Sequence, residues 1–350
     1  MSSLILSFSI DDPIAWGVLP FRYHWDANNS RYSLGSHDIC FKQGSVSLKR
    51  SQRSLTKLCN RHSILTTFFT YGNTLPMHRI AHSKYGGIFQ PTMTQVIRLL
   101  SDPHAIPTPS KQPETQTGKL SLSSLPPSDP FSASELTYTT NGQDSFPAPS
   151  FYPSRRHSWI HVFPEGKIHQ HPDKIMRYFK WGVARMILES EPCPDVICMW
   201  IDGPQFVMAN ERTFPRPLPR PGHDVSITFG EKMDVERVFG PFRQRWRDLK
   251  ARAQRKRELN GEADQAGALA ANWNGELGEV RDQELRYGAE AEQLRKEVTL
   301  AVREEVLKVR RSTGLPDEDP KASLVETWRE EGSIDKPEGR MRDGSVVEDM

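Results

Sequence analysis

The sequence predicts an α/β domain built on buried, parallel-type strands and interrupted by polar insertions, and three observations carry that prediction. Residues 158–163 form a short, nearly continuous apolar run that ends at Pro164-Glu165-Gly166. Aromatic and β-branched residues in such a run suit a strand buried on both faces. An amphipathic segment, Lys174 to Ser190, follows, and then a second apolar run from Val196 to Ile201. Strand, helix and strand in that order make a right-handed βαβ unit. The Pro-Glu-Gly turn then lies at the carboxyl end of its strand, where open α/β sheets bind ligands.

The chain has 350 residues, of which 36% are hydrophobic and 26% charged, the balance of a soluble or peripheral protein diluted by polar segments. Its net charge of +2 gives no global field for nucleic acid. The basic clusters at Arg50–Arg61, Arg243–Arg257 and Arg303–Arg311 read as solvated faces, with anionic lipid as the alternative partner. No stretch reaches the about 18 consecutive apolar residues of a spanning helix, and Leu4-Ile5-Leu6 is too short and lacks the basic flank of a secretory signal. Cys40, Cys59, Cys193 and Cys198 are too few for a disulfide framework in a chain of this length, which points to reduced thiols.

Taken in order, Asp11-Asp12-Pro13 reads as a capped helix start that Ile14 to Leu19 would continue. Residues 31–35 and 39–41 read as strand approaching the same sheet. Residues 42–70 are basic, polar and aperiodic, the pattern of a loop or disorder. Order returns at Gly72 to Arg79, and Pro91 starts a helix carrying Val96, Ile97 and Leu100 on one side. Residues 101–153 are rich in Pro, Ser and Thr and bury too little surface to offset ordering entropy, so disorder is expected there. After the central strand, Phe179, Val183, Met186 and Ile187 make a core stripe from which Arg177, Lys180 and Arg185 point away. Val225 to Phe229 alternates as a half-buried strand ending at Gly230. Leu294, Val298, Val302, Val306 and Val309 make a narrow stripe on an otherwise charged helix, with a polar tail beyond.

Glu165 at a strand end beside Gly166, and Arg79 after a Leu-Pro turn, are the first candidates for chemistry. Glycine admits a ligand close to the backbone, and a planar guanidinium suits phosphate or carboxylate. The plain structural alternative is a capping acid paired with a surface arginine. His161, His169 and His171 lack a carboxylate shell, so no metal is expected.

These pieces occur in a series. Asp11-Asp12-Pro13 with Trp16-Gly17, Ser33-Leu34-Gly35 with Ile39-Cys40-Phe41, Gly72 to Arg79, and Phe163-Pro164-Glu165-Gly166 together resemble the glycerophospholipid acyltransferase family. The resemblance covers roughly residues 11–41, 72–100 and 157–247. The run Met176-Arg177-Tyr178-Phe179-Lys180-Trp181-Gly182 narrows it to the branch that remodels cardiolipin.

That resemblance implies a glycerolipid acyltransferase-like fold, a mixed sheet flanked by helices with disordered insertions. The activity it implies is transfer of an acyl group from a phospholipid to a lysophospholipid, with no cofactor and no need for coenzyme A. It implies phospholipids and lysophospholipids as partners, cardiolipin among them, and a membrane surface rather than nucleic acid. The location it implies is peripheral or monotopic on a mitochondrial membrane, outer or inner, facing the intermembrane space. Asp11 matches the aspartate of the family's His-x4-Asp dyad, the catalytic pair, while Arg79, Glu165 and Gly166 match positions that hold the glycerol phosphate.

The expected domain plan is an acyltransferase unit in three parts, 1–41, 71–100 and 154–260. An aberrant basic insertion at 42–70, a disordered insertion at 101–153 and a charged helical and disordered tail at 261–350 separate and follow them. Two departures stand out. The dyad's histidine position is held by Leu6, and the loss of a general base, which contributes about 10²- to 10⁴-fold, implies an impaired enzyme. The alternative is a catalytically inactive lipid-binding homologue. An internal start and a retained intron, that is, a mispredicted gene product, would account for both Leu6 and residues 42–70. A proline-flanked strand motif is partly kept, in Pro192, Pro194 and Val196 to Ile201, with Cys198-Met199-Trp200 where a proline is usual.

Overall fold

The computed structural model describes residues 3–8, 17, 20, 22–23, 31–41, 64–102, 137–149, 159–167, 170–209, 218–260 and 277–328. The strands are β1 (Ser3–Phe8), β2 (Arg31–Ser36), β3 (Thr74–Met77), β4 (Thr137–Tyr138), β5 (Phe146–Pro147), β6 (Trp159–Val162), β7 (Asp195–Asp202) and β8 (Ser226–Lys232). The helices are α1 (His37–Cys40), α2 (Ile64–Tyr71), α3 (Pro91–Leu100), α4 (Gly182–Glu189), α5 (Pro204–Val207), α6 (Val235–Leu259), α7 (Gln283–Tyr287), α8 (Ala289–Ser312) and α9 (Val325–Trp328).

Six strands form one mixed sheet in the order β3-β2-β6-β1-β7-β8, parallel throughout except for the antiparallel edge pair β7 and β8. The βαβ unit is present, but its two strands are not neighbours. Strand β1 lies between them, with Leu4 opposite Ile160 and Val196, and Leu6 opposite Val162 and Cys198. The opening apolar stretch is therefore a central strand. Leu6, in the dyad's histidine position, belongs to its ladder.

Helix α4 lays Val183, Met186 and Ile187 on the core with Phe179, as its spacing predicts. Helix α8 lies across β7 and β8 and against α4 and α6, with Leu294, Val298, Val302 and Val306 fully buried. Residues 277–328 are thus part of the core rather than a tail, because a 24-residue helix otherwise coated in charge stays folded by docking its one apolar stripe. Gly230 does not end β8, which runs on to Lys232. The glycine lets α8 approach, since a Cβ there would meet Val309 Cγ2 at 2.6 Å.

Other expectations need correction. Residues 39–41 turn off the sheet in and after α1, leaving Ile39 exposed and Cys40 buried. Helix α2, residues 64–71, forms at the end of the expected basic insertion at 42–70. Helix α3 is buried from Thr92 to Leu100 on all sides. The segment before α7 covers its outer face, where Thr94 donates to the Gly278 carbonyl at 2.9 Å and Arg98 to that of Leu277 at 3.0 Å. Residues 174–181 are not helical. Lys174 has φ of 54°, and the amides of Met176, Arg177 and Lys180 go to the Glu318 and Glu165 carboxylates and the Pro164 carbonyl instead of back along a helix. Arg177 and Arg185, expected at the surface, are buried. Arg185 forms a bidentate pair with Glu189, 2.6 and 2.5 Å, and also donates to the Ile88 and Gly278 carbonyls. A guanidinium so surrounded by acceptors can leave water. Residues 137–149 are ordered as a hairpin, although disorder was expected across 101–153.

Candidate functional site

The carboxyl ends of β2, β3, β6 and β1 share one edge of the sheet, and the first two strands place matched side chains there. Their parallel register runs from Ser33 opposite Thr74 to Ser36 opposite Met77. One residue further on, His37 and His78 stack with ring centroids 4.2 Å apart and planes 22° from parallel. One further again, the Arg79 guanidinium forms a two-pronged ion pair with Asp38, with Nε 3.1 Å from Oδ1 and Nη2 donating to Oδ2. Burial works against the Asp38 carboxylate, but the hydrogen bond and charge of Arg79 outweigh it and hold its pKa below the ordinary value. The Gln90 side chain clamps the strand end by accepting from the His78 amide at 2.8 Å and donating to its carbonyl at 3.1 Å.

The hairpin β4–β5 brings a third group to the two imidazoles. Asn141 and Gly142 (φ 81°) make its turn, and the Asn141 side chain accepts from the amides of Gln143 and Asp144. Asp144 Oδ1 accepts from the Thr140 amide at 2.6 Å and the Thr139 hydroxyl at 3.0 Å, which fixes the loop. Its other oxygen faces the histidines: Oδ2 lies 3.4 Å from His37 Nε2 and accepts from the Thr140 hydroxyl. Thr140 Oγ1 is in turn 2.7 Å from His78 Nε2. With that hydroxyl's proton on Asp144, His78 Nε2 must be the donor in this contact. Burial opposes ionisation of Asp144, but the hydrogen bonds from Thr140 and Thr139 outweigh it and lower its pKa. Burial, together with the neighbouring His37, lowers the pKa of His78. The donor atoms of His37, His78 and Asp144 all lie within 4.8 Å of one another, a spacing that also admits a metal ion.

The Pro-Glu-Gly turn after β6 holds a different arrangement. Glu165 is buried, and its carboxylate accepts from the Arg177 amide at 2.7 Å. Burial dominates over the nearby Arg177 and Arg303 and pushes its pKa up to about 8. Gly166 has φ of 62°, and Lys180 crosses it closely, its amide donating to the Pro164 carbonyl at 2.7 Å. Arg79 and Glu165 are therefore not paired. The arginine is half-exposed on Asp38, and the glutamate turns inward towards the Arg303–Glu318 pair. Asp11 lies outside the described residues, three positions past the carboxyl end of β1. His169 is likewise outside them. His161 is fully buried in β6 with its ring centroid 4.4 Å from that of Phe163, and His171 sits beside Asp173.

A cavity of about 590 Å³ opens beside this edge. Ile80, Ile88, Phe89 and Trp181 supply apolar wall, Lys84 and Arg286 supply cations against the single carboxylate of Glu292, and Thr139 and Thr140 belong to the hairpin that holds Asp144. It is amphipathic and basic, suited to a ligand with an anionic head and an apolar body. His37, His78 and Asp144 escaped the sequence reading. The available signals were the pair Ser36-His37-Asp38 and Met77-His78-Arg79, each directly after a strand, and the turn dipeptide Asn141-Gly142.

No family model matches the chain. It is 28% identical over 328 residues to the tafazzin of Saccharomyces cerevisiae, an alignment that covers 91% of this chain and 68% of that protein. It is 25% identical over 225 residues to the tafazzin of Drosophila melanogaster, covering 64% of this chain and 38% of the fly protein. The N-acylphosphatidylethanolamine synthase of Arabidopsis thaliana is 24% identical over 230 residues, 65% of this chain and 53% of the plant protein. The chain thus spans about two thirds of the yeast relative and about half or less of the other two. Over most of its length the chain is similar to a tafazzin, and over about two thirds of it to an N-acylphosphatidylethanolamine synthase.

Proposed function

We propose that the chain is a phospholipid–lysophospholipid transacylase that works on one leaflet of a mitochondrial membrane, with cardiolipin among its substrates. The observation that carries this reading is the half-exposed Arg79 at the carboxyl edge of the sheet, next to a basic, apolar-walled cavity. A phospholipid brings a phosphate for the guanidinium and an acyl chain for the wall. Arg79 is the phosphate ligand, and Asp38 holds its fork in place until the headgroup arrives. Glu165 and Gly166 shape the neighbouring turn, and Asp11 follows the next strand of the same edge. Among the described residues no helix is long and apolar enough to cross a membrane.

The test is acyl transfer from a labelled diacyl phospholipid to a lysophospholipid in vesicles, with lysocardiolipin as one acceptor. Wild type transfers the label, and Arg79→Ala, which removes a charge-assisted contact, raises KM by about 10- to 100-fold. A second reading, an inactive lipid-binding homologue, is favoured by Leu6 in the ladder of β1 where the family pattern has its histidine. It requires that vesicles retain the chain while no label moves.

A further inference from the structure

We infer that His37, held by Asp144, is the general base of the transfer and replaces the histidine missing at position 6. The inference rests on the transacylase reading above. A transfer between hydroxyls needs a group that takes the acceptor's proton, and Leu6 carries none. His37 stands at the same edge of the sheet, at the end of β2, with Nε2 3.4 Å from Asp144 Oδ2. An imidazole facing a carboxylate through one nitrogen is oriented by it and stabilised when charged, which leaves the other nitrogen for chemistry. The His37 side chain is 20% exposed and Asp144 only 6%, so the base is reachable and its anchor is not.

The second imidazole has another task. His78 Nε2 is committed to Thr140, and its ring lies flat on that of His37. Stacked at 4.2 Å with planes 22° from parallel, the His78 ring fixes the plane of the His37 ring. His78 is thus a positioning residue. A metal ion at the same three groups is disfavoured by geometry. The Thr140 hydroxyl already joins His78 to Asp144 where an ion would sit, and nearly parallel rings do not aim their in-plane lone pairs at one point.

The step balances without a co-reactant. The acceptor's glycerol oxygen bonds to the donor ester carbon while its proton passes to the free nitrogen of His37, and the carbonyl π electrons move to oxygen. On collapse, the bond from that carbon to the donor's glycerol oxygen breaks, and this oxygen takes the proton from His37. Asp144 stays ionised throughout, and Arg79, on the adjoining strand end, holds the phosphate of one lipid within reach.

The experiment uses the full chain on vesicles of labelled diacyl phospholipid with a lysophospholipid acceptor. His37→Ala lowers kcat by about 10²-fold or more, within the range of general-base catalysis, leaves KM and the melting temperature near wild type, and regains activity with added imidazole. His37→Gln, which keeps a polar planar end, shows the same kcat loss if His37→Ala folds poorly. Asp144→Asn lowers kcat with no change in KM, and imidazole does not restore it. Wild-type kcat in both His37 variants, alongside a loss in Arg79→Ala, overturns this assignment and leaves the transacylase reading intact. No transfer by wild type overturns both. One equivalent of zinc, bound by wild type and lost in His37→Ala, overturns the base in favour of a metal site.

Discussion

Glu165 gives a prediction that separates an inward structural carboxyl from an outward binding one. Its folded-state pKa is raised by burial from 4.5 to about 8. Between those values the folded chain binds a proton that the unfolded chain has released, so stability falls as pH rises through the window. At about 1.4 kcal/mol per pH unit the interval amounts to a ceiling of about 5 kcal/mol. Glu165→Gln keeps an acceptor for the Arg177 amide, now 2.7 Å from Oε1, and removes the charge. The variant should match wild type at pH 5, gain steadily on it up to pH 8, and stay a few kcal/mol more stable at pH 9. Urea unfolding of both proteins across this range measures the effect, and other titrations cancel in the difference. A difference that does not change with pH, or a variant weaker than wild type at pH 9, refutes the reasoning. Either would mean that the carboxylate is ionised and gains from Arg177 or Arg303.

Other perturbations follow from the same packing. Glu318 accepts from Arg303 at 2.6 Å and from the Met176 amide, and forms an ion pair with Arg310 at 3.1 Å, with its side chain 1% exposed. Glu318→Ala strands two buried guanidiniums and should cost about 3–5 kcal/mol in urea unfolding. Leu294→Ala should cost about 2–5 kcal/mol, since the side chain is fully buried; a helix merely attached to the domain would show no effect. Gly203 has φ of 106°, and a Cβ there would lie 2.1 Å from the Asp224 carbonyl oxygen, so Gly203→Ala should lower the melting temperature by at least several degrees. Burial pushes the Cys198 thiol up to about 12 and the Cys193 thiol up to about 11. At pH 8 a disulfide reagent should therefore modify Cys198 only after denaturant is added.

The central strand, α4 and the switch to β7 were legible because each is a local pattern with one solution: a run too apolar for a surface, then a stripe at helical spacing. What surrounds them was not. Residues 174–181 have the composition of a helix, yet their amides bond to Glu165 and Glu318, and Glu318 lies more than 130 residues away. Local propensity loses to such partners, and no short window of sequence reaches Glu318. The buried arginines mislead in the same way. Arg185 and Arg303 look solvated from charge alone, but Glu189, Glu318 and a ring of carbonyls give their guanidiniums the hydrogen bonds that water would. Leu4-Ile5-Leu6 is too short to be assigned by itself. It is a central strand because β6 and β7 leave one strand's width between them.

The site divides along the same line. Arg79 could be picked from its neighbours, and its partner could not, because Asp38 meets it only through a register of 41 positions set by β2 lying beside β3. That same register stacks His37 on His78, so one ladder places a cation with its counterion and an imidazole with its twin, one step apart. Asp144 was hidden by composition. A Pro-, Ser- and Thr-rich insertion cannot build a core of its own, but it need not, because Phe146 packs edge-on against Phe41 and His37 and borrows the existing one. A hairpin anchored only for stability would need Oδ1 of Asp144 for its turn and nothing from the second oxygen. Oδ2 is instead directed at His37 and, through Thr140, at His78. If that oxygen serves chemistry, Thr140→Val, which removes the relay to His78 while Asp144 keeps the Thr139 hydroxyl and the backbone amide of residue 140, should leave the hairpin folded and lower kcat by less than Asp144→Asn does. Equal losses from the two changes, with the melting temperature falling in step, would mean that the carboxylate only ties the insertion to the domain.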